Sequence, residues 1–260
     1  MLNRLTLKIP VTTSSDKKSP EIKAQVEQAV IKHVSRPNGA LSFFMPLHYE
    51  RNYAYPLVVW LHGRSGDERQ LHRVLPLMSM RNYAAVGIAG TERCGRGWDW
   101  SQDDLAVQAA EQRVLDAVNE ARERFHVHSD RIFLAGYESG GTMAMRLAMR
   151  RPQLFAGAAS IGGPFPQARK ILSNIQHVRK YPLWIAVGRD SAEYPVQTVC
   201  DELKLYHSAA MQVMLRQYPC GDELTTKMLS DLNDWLMERV TGMPSTPVEA
   251  DAFPADAELN

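Results

Sequence analysis

Cysteine is scarce in this chain, and the three present, Cys94, Cys200 and Cys220, form no Cys-x-x-Cys pair. An odd count without that spacing excludes a disulfide framework and a structural zinc site, and fits a reducing compartment, so the expected location is cytoplasmic. An excess of charge is also missing: 30 Lys and Arg stand against 29 Asp and Glu, for a net charge of +1. That balance supports neither nucleic-acid nor anionic-membrane binding through a global field. Long apolar runs are absent too. No window approaches the run of about 18 apolar residues that spans a bilayer, and Met1 to Lys8 lacks the apolar core of a signal peptide.

What is present is apolar material enough for a large core: 45% of the 260 residues are hydrophobic. Short alternations at Leu5 to Ile9 and Ala40 to Met45 predict antiparallel edge strands, separated by a polar stretch from Thr12 to Ser19. From Pro56 onward, continuous apolar runs take over: Leu57 to Leu61, Ala84 to Ala89, Ile132 to Ala135, Phe155 to Ile161, Leu183 to Val187 and Val213 to Leu215. Apolar runs separated by helical periodicities predict an α/β fold with a mostly parallel, doubly wound sheet and helices on both faces.

Three helices are legible. Asp103 to Phe125 carries a stripe assigned to Leu105, Ala109, Val114, Ala117, Val118 and Ala121, with Asp103 and Asp104 at its start. Thr142 to Arg150 is apolar nearly all round, with Met143, Met145 and Met149 as core, and Pro152 stops it. Glu223 to Val240 turns Leu229, Leu232, Trp235 and Leu236 to one side. No repeat or internal linker interrupts residues 1 to 241, which read as one domain. After Gly242, three prolines and the acids Glu249, Asp251, Asp256 and Glu258, without Lys or Arg, predict a disordered acidic tail.

The segment Arg131 to Met143 reads as strand, sharp turn and helix, the setting of a nucleophile elbow. Such a turn needs glycine two residues before and two after the nucleophile, so that strand and helix can approach around a strained residue. Gly136 and Gly140 have that spacing, and Glu138 stands between them. The loop Gly95 to Trp100 follows a strand, where this architecture forms its crevice, so Trp98 and Trp100 are candidates for ligand contact or for a folded-back lid.

These ordered segments resemble the α/β-hydrolase superfamily, close to its small carboxylesterase and phospholipase branch, over about Leu41 to Val240. His62-Gly63 resembles the entry to the oxyanion loop, and Gly136 to Gly141 the elbow. Arg151 to Ser160 resembles the helix exit and next strand, Val187 to Ser191 the acid loop, and Tyr218 to Glu223 the histidine loop. The resemblance implies an α/β-hydrolase fold with His62 and Gly63 beside the oxyanion turn. Carried over position by position, it puts the nucleophile at Glu138, the acid at Ser191 with Asp190 before it, and the general base at Asp222. None is the residue type that a serine hydrolase needs. Some hydrolases of this fold use an aspartate nucleophile, but they keep a histidine to activate water. Carboxylates, with an ordinary pKa of about 4, are weak bases for that work at neutral pH.

The expected protein is therefore a pseudo-esterase, catalytically inactive, binding a small-molecule ligand or a protein partner in the old cleft. It needs no cofactor and no nucleic acid, and a homo-oligomer is the third reading. The alternative is an active ester hydrolase using displaced residues such as Ser139 with Asp190. Ser139 sits one position late in the turn, and His33, His48, His72, His126, His128, His177 and His207 fall where packing or surface roles are expected. For the clustered carboxylates Glu138 and Asp222, pairing with Arg64 or Arg189 is the preferred expectation over a bound Ca²⁺.

Overall fold

The structure, a computed structural model, describes residues 32–34, 40–166, 178, 181–208 and 210–243. The alternation at Leu5 to Ile9 and most of the acidic tail lie outside them. Ten strands and five α-helices of at least eight residues are described. They are β1 (Lys32–Val34), β2 (Leu41–Phe44), β3 (Tyr55–Leu61), α1 (Leu71–Met78), β4 (Ala84–Ile88), β5 (Glu92–Cys94), β6 (Gly97–Asp99) and α2 (Asp104–Arg124). After these come β7 (Val127–Tyr137), α3 (Ser139–Arg150), β8 (Gly157–Ile161), β9 (Leu183–Gly188), α4 (Val196–Ser208), β10 (Val213–Tyr218) and α5 (Thr226–Thr241).

Eight strands form one sheet in the order β1-β2-β4-β3-β7-β8-β9-β10. The pairs β1/β2 and β2/β4 are antiparallel, and every pair from β4 to β10 is parallel. This is the predicted α/β-hydrolase arrangement with an antiparallel N-terminal edge. The remaining two strands, β5 and β6, pair as a separate antiparallel hairpin.

Strand periodicity sorts the core into two layers. Leu57, Val59, Leu61, Val86, Leu134 and Ile185 point to one face, where residues of α2, α3 and α4 cover them. Val58, Trp60, Ala85, Phe133, Ala135 and Trp184 point to the other, against Leu71 and Leu75 of α1 and Leu229, Leu232, Trp235 and Leu236 of α5. Every residue of β3 is buried, as a central strand covered on both faces must be.

Helix α2 begins where Asp103 accepts a hydrogen bond from the Ala106 amide at 2.9 Å. Its buried stripe differs from the predicted one. Val107, Ala110, Val114, Ala117, Val118 and Ala121 face the core, whereas Leu105 is 79% exposed and Ala109 is also exposed. Each of those two lies about 200° round the helix from Val107, at 100° per residue, so the stripe holds from Val114 to Ala121 and differs only at its N-terminal end. In α3, Met143, Met145 and Met149 are buried core, as expected. None of the described helices is long and apolar enough to cross a membrane.

Candidate active site

Strand β7 runs into α3 through Glu138, whose φ of 48° and ψ of −124° put a branched-chain-free but bulky residue in a region that favours glycine. The turn is over-determined by its surroundings. The Glu138 amide donates to the Ile161 carbonyl at 2.8 Å, and its own carbonyl accepts from the Thr142 amide at 3.1 Å. The flanking glycines act by close approach. A Cβ on Gly140 would stand 2.3 Å from the His62 carbonyl oxygen and 2.4 Å from that of Leu61, and one on Gly136 would meet the Gly140 backbone at 2.5 Å. Glu138 is thus the apex of the elbow, and the register read from the glycine spacing holds.

The Glu138 side chain turns toward the loop after β3. Its Oε2 accepts a hydrogen bond from the Arg64 backbone amide at 3.0 Å. In an elbow of this kind, an amide from that loop and the amide following the nucleophile stabilise the oxyanion. The Glu138 carboxyl is therefore seated on one of the donors that a transient oxyanion would use. Burial raises the Glu138 pKa above its ordinary value, the Arg64 amide and the Tyr137 phenol oppose the shift, and the charges of Asp99 and Glu193 add to it.

Ser139 is the first residue of α3, and its hydroxyl donates to Asp99 Oδ1 at 2.5 Å. Asp99 Oδ1 also accepts from the Trp100 amide at 2.8 Å, and Asp99 Oδ2 lies 3.7 Å from Arg64 Nε. Sequence reasoning missed Asp99 entirely. Its one signal was its place between the two tryptophans at the end of a strand.

Asp222 and Ser191 are brought together. The Ser191 hydroxyl donates to Asp222 Oδ1, and the amides of Ala192 and Glu193 donate to the same carboxylate at 3.1 and 3.3 Å. Ser191 Oγ in turn accepts from the Tyr194 amide at 2.9 Å. The Asp222 carboxylate thus ties down the turn at residues 191–193. Tyr137, a second residue the sequence did not single out, donates its hydroxyl to the Asp222 carbonyl and so links the two halves of the site. Burial, first, raises the Tyr137 pKa, with Glu138 adding to it, so the phenol is a donor here.

The expected arginine pairing does not occur. Glu138 takes the Arg64 amide rather than its guanidinium, and Asp222 takes a hydroxyl and two amides. Arg189 lies 3.4 Å from Asp190 instead, and the Asp190 side chain is 66% exposed and outside the cluster. Short hydrogen-bond donors reached these carboxylates because backbone amides of the β3 and β9 loops already point at them, which leaves the long guanidinium side chains at the surface. Among the described residues, no group of three or more His, Cys, Asp or Glu side chains could hold a metal ion.

His62 is fully buried, and its ring is a structural strut. Gly90 N–H donates to Nε2 at 2.9 Å, so Nδ1 carries the proton and donates to the Gly63 carbonyl at 2.8 Å. Burial, the largest influence, lowers its pKa, so it stays neutral. No histidine among the described residues hydrogen-bonds to Glu138, Ser139, Asp99, Ser191 or Asp222. Gly63 lies directly under the site: a Cβ there would be 2.8 Å from Glu138 Oε2. The tryptophan pair divides. Trp100 is buried to 2% exposure and donates Nε1–H to the His62 carbonyl at 2.9 Å, whereas Trp98 on β6 is half-buried. Trp100 therefore belongs to the core and cannot join Trp98 in an exposed pair.

The elbow, which follows the fifth strand of the mostly parallel sheet, lies inside the stretch that matches a known family. Residues 96–239 match the Phospholipase/Carboxylesterase family. The chain belongs to this family.

The chain is similar in sequence to one named esterase and in fold to others. The putative esterase NocK of Nocardia uniformis subsp. tsuyamanensis is 31% identical over 115 residues, which cover 43% of this chain and 33% of that protein. The chain thus spans about a third of the length of that curated relative. A carboxylesterase from Mesorhizobium loti superposes with a TM-score of 0.64 at 16% identity, covering 80% of this chain and 98% of that one. A Zea mays acyl-protein thioesterase 2 gives 0.63 at 13% identity, covering 78% and 99%. At such identities the likeness is one of fold.

Proposed function

We propose that this member of the phospholipase/carboxylesterase family is a pseudo-esterase, which holds a ligand or partner at its former catalytic cleft and does not hydrolyse esters. The observation that carries the reading is the Glu138 carboxylate at the elbow apex, hydrogen-bonded to the Arg64 amide. It removes the hydroxyl nucleophile and fills with a carboxyl group the place where acyl transfer would develop negative charge. Asp222 supports the same reading, since its oxygens are committed to the 191–193 turn and no histidine takes its place. The three unbridged cysteines fit work in the reducing cytoplasm.

Incubation of the purified chain with p-nitrophenyl acetate and butyrate, and with a fluorophosphonate, tests this. The expected result is release of nitrophenol at the buffer rate and no labelled protein. Turnover with a label on a serine would overturn it.

A second reading, ester hydrolysis by Ser139, has one observation in its favour: the Ser139 hydroxyl is already hydrogen-bonded to a carboxylate, Asp99, at 2.5 Å. That reading expects the fluorophosphonate to label Ser139 and Ser139→Ala to abolish turnover. Against it, Ser139 opens α3 rather than capping the elbow, and its partner is a carboxylate in place of an imidazole.

A further inference from the structure

Beside the elbow, the hairpin β5–β6 carries a sequence rich in cations and glycine, Glu92-Arg-Cys-Gly-Arg-Gly-Trp98. Gly95 takes a φ of 59° at its tip. The hairpin is seated on the loop after β3: Trp98 N–H donates to the Gly66 carbonyl at 2.8 Å, and a Cβ on Gly97 would stand 2.3 Å from the Ser65 carbonyl oxygen. Register puts Arg93 directly across from Trp98, and its guanidinium carbon lies 4.0 Å from the centroid of the indole. From α2, the guanidinium carbon of Arg113 reaches to 6.0 Å from the same ring.

Arg122 of α2 is exposed and has no carboxylate partner among the described residues, but the remaining arginines of the α2–α3 layer, Arg113 apart, are paired. Arg124 pairs with Glu120, Arg146 with Asp104, and Arg150 and Arg151 both with Glu111. Among the described residues, Arg93 and Arg113 have no carboxylate partner. Arg113 is half-buried and gives one nitrogen, Nη1, to the carbonyls of Ala89 and Gly90, which leaves the rest of its fork unused. Burial lowers its pKa and no neighbouring acid offsets the effect. The nearest acids of the hairpin are Glu92, exposed at the start of β5, and Asp99, already engaged by Ser139, the Trp100 amide and Arg64. A desolvated guanidinium without a counter-charge is costly, and the cation–π contact with Trp98 recovers only part of that cost.

We propose that Arg93, Arg113 and the indole of Trp98 form a binding site for a phosphate group carried by a small ligand, beside the elbow and distinct from it. Two guanidiniums match a dianion in charge, and their planar forks match phosphate oxygens in geometry. A phosphate monoester carries about −1.5 to −2 at neutral pH, whereas a carboxylate carries a single charge. The site does not depend on the elbow being inactive, because none of its three residues contacts Glu138, Ser139 or Asp222.

Trp98 reports on its own site. Of the five tryptophans, Trp60, Trp100, Trp184 and Trp235 are buried at 0 to 3% exposure, so collisional quenching by ions reads Trp98. Iodide is expected to quench the wild-type fluorescence about threefold more strongly than caesium at low ionic strength, because the two cations concentrate anions there. Inorganic phosphate should remove that advantage at concentrations where acetate, at equal ionic strength, leaves it intact. Arg93→Gln and Arg113→Gln should each reduce it at least twofold, by about the weight of one cation in two. Arg96→Gln, at the hairpin tip, should leave it unchanged. Arg93 is exposed, so its variant serves should Arg113→Gln fail to fold. Equal quenching by iodide and caesium, phosphate no more effective than acetate, or an Arg96→Gln loss equal to that of Arg93→Gln would each overturn the proposal. None of these readings changes with esterase activity, so the site and the pseudo-esterase reading fail separately.

Discussion

Replacing Asp222 by alanine separates a structural tie from a catalytic base. The carboxylate accepts from the Ser191 hydroxyl and from the amides of Ala192 and Glu193. The hydroxyl bond is partly buried and contributes about 1 kcal/mol, while the two amides, which water reaches once the carboxylate is gone, contribute about 0.5 kcal/mol each. The expected loss is therefore about 2 kcal/mol. For a chain of this size, with a urea m-value of about 3 kcal/mol per molar, the unfolding midpoint should fall by about 0.7 M. The melting temperature should fall by roughly 6 °C. Ser191→Ala removes the same hydroxyl bond from the other side, so the double variant should lose about 1 kcal/mol less than the sum of the single ones. Urea titration followed by tryptophan fluorescence measures all three proteins. A midpoint for Asp222→Ala within about 0.2 M of wild type would refute the reasoning, as would strict additivity with Ser191→Ala.

Glu138→Gln should show the opposite sign. Because the folded carboxyl titrates above its ordinary 4.5, the fold holds that proton more tightly than the unfolded chain does. Its contribution to stability is complete below that value and is lost as pH rises through the raised pKa. The glutamine variant has no such loss, so its urea midpoint should gain on wild type as pH rises from 4.5 toward neutrality; a constant difference across that range would refute it. Gly140→Ala should cost about 3 kcal/mol or more, since the new Cβ meets two backbone carbonyls that cannot move independently. A melting temperature unchanged from wild type would refute the close approach of Gly140 to the Leu61 and His62 carbonyls.

Much of the architecture was legible because it rests on local patterns. The apolar runs at Leu57 to Leu61 and Leu183 to Val187 could only be strands covered on both faces, and β3 and β9 are buried throughout. The glycines at 136 and 140 put Glu138 at the apex, since only that spacing clears the carbonyls of Leu61 and His62. Leu105 and Ala109 were misassigned for a related reason. Spacing gave the buried face from Val114 to Ala121, but which residues of the first turns join it depends on how the helix lies on its sheet. The partners of the carboxylates were misread because arginine is the obvious counter-charge in a sequence. Backbone amides, which no sequence pattern marks, were closer.

The order of apolar runs, glycines and motif residues determined by itself the fold family and the place of Glu138 at the turn between Gly136 and Gly140. Those features follow from steric rules that act within a few residues. Only the tertiary structure decided what Glu138, Ser139 and Asp222 touch. Glu138 finds the Arg64 amide 74 residues away, Ser139 finds Asp99 at 40, and Asp222 finds Ser191 at 31. The same holds for Trp98 and Trp100, neighbours in sequence that part between a cation-lined surface and the core. Hydrogen bonds and cation–π contacts are short in range, so their partners are set by which loops the sheet carries to the same end.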